Sequence, residues 1–243
     1  MSNYLITGSG VLATAIKNKT GGVLYSRSNA DIIGSIENSC KLNSVFEKIK
    51  PDVVIHTAAI ASITQCQNNK REAIQTNVLG SLNVLNACKK YKAKPIFLSS
   101  VAANNPSGIY GASKLLMELM GDAVYCRLGT VLSKKSIIYK WYEQIQNGEI
   151  LKISDFSCVR YLITLEEATK SIIDCKSKPN GVYTPRMYAF SIKDIISVLE
   201  ILTEKKAIYT ICGLSPGEKL KDCKETSNSL LLLDKIRTIC QPL

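Results

Sequence analysis

Residues 4 to 16 read YLITGSGVLATAI, and the parsing of that stretch decides the fold. Four residues of strand character run into Gly8, Gly10 and Ala13, a G-x-G-x-x-A pattern, and then into an apolar helical segment. Glycines at such a turn let the backbone bend sharply and come close to a pyrophosphate. The amino end of the following helix supplies free N–H groups and positive potential. A glycine pattern alone is weak, but its place at the first strand-to-helix turn predicts a dinucleotide-type site built from Gly8, Ser9, Gly10, Val11 and Leu12.

Working outward, short apolar runs at 3–6, 22–26, 52–56, 95–99 and 123–127 alternate with helical patterns at 43–50, 70–90 and 110–120. Repeated strand, helix, strand predicts an α/β, Rossmann-like, doubly wound parallel sheet whose ligands bind at the carboxyl ends of the strands. Beyond 128 the alternation loosens, with helices expected at 136–147, 165–175 and 191–203, a polar loop over 214–229 and a short terminal helix. The expected organisation is therefore a cofactor-binding core over 1–128 and a mixed region over 129–243. That second region completes the core and binds substrate.

The second strand ends in YSRS, where NAD binders place an acidic residue against the ribose 2′-hydroxyl; here Arg27 stands instead. Arginine suits a 2′-phosphate, so NADP is expected over NAD. HTAA at 56–59 closes the third run, and its small residues, Ala58 among them, would let the backbone pass beside the cofactor. His56 is the only histidine and is read as structural.

Composition bounds the alternatives. With 243 residues and 46% hydrophobic content, the chain can bury a sizeable core. No apolar run approaches the roughly 18 to 20 residues of a membrane span, and MSNYLITGSG lacks a secretory pattern, so a cytoplasmic location without membrane association is expected. Nine cysteines without any C-x-x-C read as reduced packing residues rather than metal ligands. The net charge of +11 raises nucleic acid as a partner. Its lysines are dispersed, however, and even the densest groups, KKYKAK (89–94) and KLKDCK (219–224), read as solvated ends and loops, which argues against that partner.

YGASK, beginning at Tyr110, follows the run PIFLSS. Among 11 tyrosines and 31 lysines and arginines, about one Tyr-x-x-x-basic pair arises by chance, so context carries the reading. Tyr110 and Lys114 share a helix face after a strand that ends in Ser99 and Ser100. An ammonium near a phenol is expected to lower its pKa, letting it exchange a proton with a hydroxyl or carbonyl, while a serine hydroxyl holds the same oxygen. Ser100, Tyr110 and Lys114 thus form a catalytic set for alcohol–ketone chemistry.

These residues, with YSR, VIHTAA, TNVLGSLNVLNAC, NPSGIYGASK, RLGTVL, RYLITLEEA and PGEKL, resemble the extended short-chain dehydrogenase/reductases that modify nucleotide sugars. Within that branch the chain looks like the UDP-N-acetylglucosamine 4,6-dehydratase group of polysaccharide biosynthesis. The resemblance implies that Asn77 borders the cofactor, that Lys114 also holds the nicotinamide ribose, and that Arg160 faces the substrate diphosphate. It also nominates Arg127 and Thr130 of RLGTVL on the substrate side, and a homodimer built on the helices at 70–90 and 110–120.

Departures bear on the chemistry. Where that group carries Thr-Asp-Lys, this chain has Ser100, Val101 and Ala102. Eliminating water from a 4-keto sugar needs a base and an acid that valine and alanine cannot supply, each worth roughly 10²- to 10⁴-fold. The glycine loop is one residue shorter than usual, Ser215 replaces an arginine before PGEKL, and the chain is short, which suggests trimmed substrate loops. The leading expectation is an NADP-dependent reductase acting at C4 of a UDP-linked keto-hexose. A 4,6-dehydratase with or without 5-epimerisation, a C4 epimerase and an inactive cofactor-sensing protein stand as alternatives.

Overall fold

A computed structural model describes residues 2–222, 227 and 229–240. Cys223 and its neighbours to 226, with 228, lie outside the described residues, so the expected loop over 214–229 is described only in part. The chain order begins β1 (Tyr4–Thr7), α1 (Val11–Thr20), β2 (Val23–Ser26), β3 (Ile32–Ile33), α2 (Ser39–Ile49), β4 (Val53–His56), α3 (Ile63–Asn68) and α4 (Lys70–Ile74). A π-helix (Gln75–Gly80) leads into α5 (Ser81–Tyr91), β5 (Lys94–Ser100), a 3-10 turn (Val101–Ala103), α6 (Ile109–Leu119) and β6 (Val124–Leu128). Then come β7 (Thr130–Leu132), α7 (Ile137–Asn147), β8 (Ile150–Ile153), β9 (Val159–Thr164), α8 (Leu165–Asp174) and β10 (Gly181–Tyr183). The order closes with β11 (Tyr188–Ser191), α9 (Ile192–Thr203), β12 (Ile208–Ile211) and α10 (Ser229–Cys240).

These elements form two compact units, Met1–Leu128 with Glu166–Pro185, and Gly129–Leu165 with Arg186–Leu243. The first unit is a seven-stranded sheet in the order β10-β6-β5-β4-β1-β2-β3. Every pairing in it is parallel. The first unit runs unbroken to 128, and 166–185 returns to it because β10 pairs with β6 and covers what would be an open edge. All five strands read from the sequence are present, and β1, β4 and β5 are near-continuously buried, as a parallel sheet covered on both faces requires. Phe46, Phe97 and Tyr25 fill the core of this unit.

Helix ends follow local chemistry. The Asn38 side chain accepts from the Lys41 amide at 2.9 Å to start α2, and Lys50, left-handed at φ 50°, ends it ahead of Pro51. The single helix expected over 70–90 is instead α4, the π-helix and α5. Such insertions widen one turn and recur at functional sites. Here the widened turn buries Thr76 and Asn77.

The second unit holds the sheet β11-β9-β7 and the parallel pair β12-β8. Trp141 of α7, Phe190 of β11, Leu199 of α9 and Ile236 of α10 meet in its core. Among the described residues no helix is long and apolar enough to cross a membrane.

Candidate active site

The carboxyl ends of β1, β2 and β4 open onto a cleft of about 430 Å³. Gly8, Ser9, Gly10, Val11, Leu12, Arg27 and Ala58 all line it, as the strand-turn-helix reading requires. Gly8 has φ +112°, and its amide donates to the Tyr25 carbonyl at 2.8 Å. A Cβ there would press on the Thr57 hydroxyl and lie 3.0 Å from the Ala58 amide nitrogen. At Gly10, by contrast, a Cβ would meet nothing within 4 Å among the described residues. Gly10 begins α1 without a side-chain cap, and the first turn carries no acidic residue. An uncapped, positively polarised helix end facing an open cradle fits a pyrophosphate.

Arg27 stands at the outer end of the cleft, its side chain 59% exposed, with Nη1 3.7 Å from Glu72 Oε1. Glu37 also lines the cleft and accepts a hydrogen bond from the Thr76 hydroxyl at 2.6 Å. Neither acid was visible in the sequence: Glu37 follows β3, a strand of only two residues, and Glu72 lies in a helical pattern with no link to Arg27.

Asn77 is committed to bracing the chain after β4. Its Oδ1 accepts from the Ile60 amide at 2.7 Å, and its Nδ2 donates to the Ile60 carbonyl at 3.1 Å and to Ser113 Oγ at 3.2 Å. His56 is structural as read, buried between Thr7 Oγ1 at 2.6 Å and Ser81 Oγ at 2.8 Å. Burial, with the Lys114 charge second, holds its imidazole down to about 3, so the ring is neutral.

Ser100 ends β5, and its hydroxyl is hydrogen-bonded to the Tyr110 phenol. Its Oγ also accepts from the Ala102 amide at 3.2 Å, which starts the 3-10 turn. Tyr110 lies in the first turn of α6, and the Ser113 hydroxyl donates to its carbonyl at 2.8 Å. Gly111 permits this approach, because a Cβ there would collide with the Ala102 carbonyl oxygen. Lys114 is 5% exposed and its Nζ donates to the Leu98 carbonyl at 2.7 Å. Burial depresses its ammonium to about 8 against opposing pulls from Cys66 and Glu118.

One expectation is corrected. Tyr110 is not lowered by the lysine; burial raises its phenol above the ordinary value, and the Ser100 hydrogen bond only offsets part of that. The Lys114 ammonium is turned to the Leu98 carbonyl instead.

On the expected substrate side, Arg127 is held within the first unit. Its Nε and Nη2 donate to the two oxygens of Glu118 at 2.8 and 2.5 Å, and Nη1 donates to Asn104 Oδ1. Glu118, its side chain 3% exposed, accepts the Ser99 hydroxyl as well, so it serves Arg127 and Ser99 rather than Tyr110. Thr130, opening β7, and Arg160 of β9 lie in the second unit. Arg160 pairs with Glu218 at 2.8 Å and donates to the Val159 carbonyl at 3.0 Å. Glu218, from the PGEKL segment, also accepts the Ser154 hydroxyl at 2.9 Å and the Ser215 amide at 3.1 Å.

Residues 12–229 match the family described as polysaccharide biosynthesis protein. The chain is 28% identical over 221 residues to a UDP-glucose 4-epimerase of Rickettsia conorii, covering 84% of this chain and 64% of that protein. It is 26% identical over 213 residues to the inverting UDP-N-acetylglucosamine 4,6-dehydratase of Campylobacter jejuni, covering 81% and 62%. The chain therefore spans less than two thirds of either relative. The solved UDP-glucose 4-epimerase of Thermus thermophilus, a complex with NAD, superposes with a TM-score of 0.82 at 17% identity over 96% of this chain and 92% of that one, a likeness of fold. With the parallel sheet, the glycine turn and the Ser–Tyr–Lys set in place, the chain belongs to the polysaccharide-biosynthesis family of extended short-chain dehydrogenases/reductases.

Proposed function

We propose that the protein is a nucleotide-sugar-modifying oxidoreductase that reduces the C4 keto group of a UDP-linked 6-deoxy hexose or N-acetylhexosamine. The observation that carries this reading is the Ser100–Tyr110 hydrogen bond beside buried Lys114, next to a turn whose Val101 and Ala102 carry no titratable group. Gly8, Ser9, Gly10, Val11, Leu12, Arg27 and Ala58 would hold NADP, or NAD in its place, with Asn77 and Lys114 fixing the nicotinamide end. Arg127, Thr130 and Arg160 stand as the proposed substrate side, although in the structure Arg127 and Arg160 are engaged by Glu118 and Glu218.

A reduced nicotinamide bound in the cleft supplies the hydride. Tyr110 gives its phenolic proton to the carbonyl oxygen as the carbon is reduced, so one C=O becomes CH–OH. A phenol with a raised pKa stays protonated at neutral pH, the form a proton donor needs. Ser100 holds the same oxygen in line with Tyr110. A C4 epimerase uses the same three groups in both directions, and the similarity to UDP-glucose 4-epimerases favours it as the second reading.

The test is an anaerobic mixture of the protein with a UDP-linked 4-keto-6-deoxy-N-acetylhexosamine and NADPH, and separately with UDP-N-acetylglucosamine. Oxidation of NADPH with a product two mass units heavier supports the reductase. Conversion of UDP-N-acetylglucosamine to its C4 epimer without cofactor consumption supports the second reading. Loss of water from UDP-N-acetylglucosamine would refute the inference drawn from Val101 and Ala102. Tyr110→Phe should abolish turnover while leaving cofactor binding nearly intact.

A further inference from the structure

We propose that Glu72 sets the choice between NADP and NAD by holding Arg27. The inference rests on reading the cleft as a dinucleotide site, and concerns the end where the adenosine ribose would lie, beyond β2. Arg27 would be the group for a 2′-phosphate there, because its planar fork fits phosphate oxygens. In the structure that guanidinium faces the Glu72 carboxylate at 3.7 Å. Thr76, one helical turn beyond Glu72, lines the cleft and donates to the second carboxylate, Glu37. Among the described residues Arg27 therefore shares this end of the cleft with Glu37 in the lining and meets Glu72 just outside it.

The two cofactors meet this arrangement differently. A 2′-phosphate brings close to two negative charges at neutral pH and must draw Arg27 away from Glu72. A 2′-hydroxyl brings no charge and can donate to a carboxylate, so NAD leaves the pair undisturbed. Glu72 thus opposes NADP through Arg27, and the selectivity is weaker than the arginine alone implies. Both side chains are more than half exposed, so screening keeps the effect modest, on the order of three- to tenfold in affinity. It should shrink as ionic strength rises.

The experiment is isothermal titration of the full chain with NADP and with NAD at low and high salt. In Glu72→Gln, NADP should bind roughly three- to tenfold tighter while NAD stays within about twofold, and Glu72→Asp should fall between. Arg27→Gln should weaken NADP more than it weakens NAD. In the Arg27→Gln background, the added Glu72→Gln change should move NADP by no more than about twofold. A full-sized gain in that background would overturn the proposal, since Glu72 would then repel the phosphate directly. An unmoved NADP-to-NAD ratio in Glu72→Gln overturns it while leaving the dinucleotide reading standing. Failure of the unsubstituted protein to bind either nucleotide overturns both.

Discussion

Replacing Lys114 with methionine separates what this residue does for function from what it costs the fold. Its ammonium is 5% exposed and depressed from 10.5 to about 8, chiefly by burial. At 1.36 kcal/mol per unit, keeping the charge buried costs about 3 kcal/mol below pH 8. The sign follows from proton counting. Below pH 8 both folded and unfolded chains hold the proton and the cost is complete. From 8 to 10.5 the unfolded chain binds more protons, so the stability of the native enzyme rises with pH until the cost is gone. Lys114→Met has no such term, although it leaves the Leu98 carbonyl without its donor. Denaturant unfolding of both proteins, followed by circular dichroism from pH 7 to 10.5, should show the native protein gaining about 3 kcal/mol on the variant. Tyrosine ionisation occurs in both and cancels in the difference. A gap constant to about 0.5 kcal/mol across that range would refute the burial of a charged lysine. The same variant should have no turnover.

The buried imidazole of His56 predicts the opposite limb. Its pKa of about 3, against 6.5 when unfolded, means that stability is complete above 6.5 and falls as pH drops, by about 3 kcal/mol between 6.5 and 4.5; acid unfolding measured against His56→Gln checks it, and equal slopes would refute it. Arg127→Met leaves the buried Glu118 carboxylate without its cation and should destabilise the protein by about 3 kcal/mol or more; a variant of native stability with only a raised KM would make Arg127 a substrate contact instead. Gly111→Ala drives a Cβ into the Ala102 carbonyl and should lower both stability and turnover, whereas Gly10→Ala, opening onto free space, should spare the melting temperature and weaken nucleotide binding alone. Ile74, Leu79, Leu116 and Leu119 stand exposed on α4, the π-helix and α6, Leu119 at 72%, which supports the proposed pairing of two copies there; Leu119→Glu should shift the mass measured by light scattering from dimer to monomer, and a native protein that is already monomeric would refute the pairing.

The sheet was legible because burial on both faces leaves near-continuous apolar runs, and because the glycine turn carries its own steric signature at Gly8. The placement of Ser100, Tyr110 and Lys114 follows for a related reason: a strand end and the first turns of the next helix lie together in any such sheet. What escaped was set by tertiary context. The π-helix escaped because its buried face is Thr76, Asn77 and Gly80 while Leu79 is exposed, so apolar periodicity does not mark it. The strands of the second unit are short and are split between two sheets, β7 pairing with β9 while the intervening β8 pairs with β12, so periodicity could not rank them. Charge pairing was hidden entirely. Arg127 and Arg160 look in sequence like free cations suited to a diphosphate, yet each is matched by a glutamate, one nine residues earlier and the other 58 residues later.

That pairing bears on which proton chemistry the first unit can perform. Around the Ser100 hydroxyl, the positions that would supply a second acid and base are Val101, which is buried, and Ala102, whose carbonyl is closed against Gly111. The nearest carboxylate on α6, Glu118, is bound by Arg127 and Ser99, and freeing it would leave the part-buried Arg127 guanidinium without its carboxylate. The Tyr110 phenol, raised by burial, keeps its proton at neutral pH, and the buried Lys114 ammonium, depressed to about 8, is the second proton-bearing group of the set. A reduction at C4 consumes one proton at one oxygen, and a C4 epimerisation returns the same proton it takes. Water elimination needs one removed from carbon and another delivered to a leaving oxygen, so the proposed reduction is the reaction that asks least of these groups.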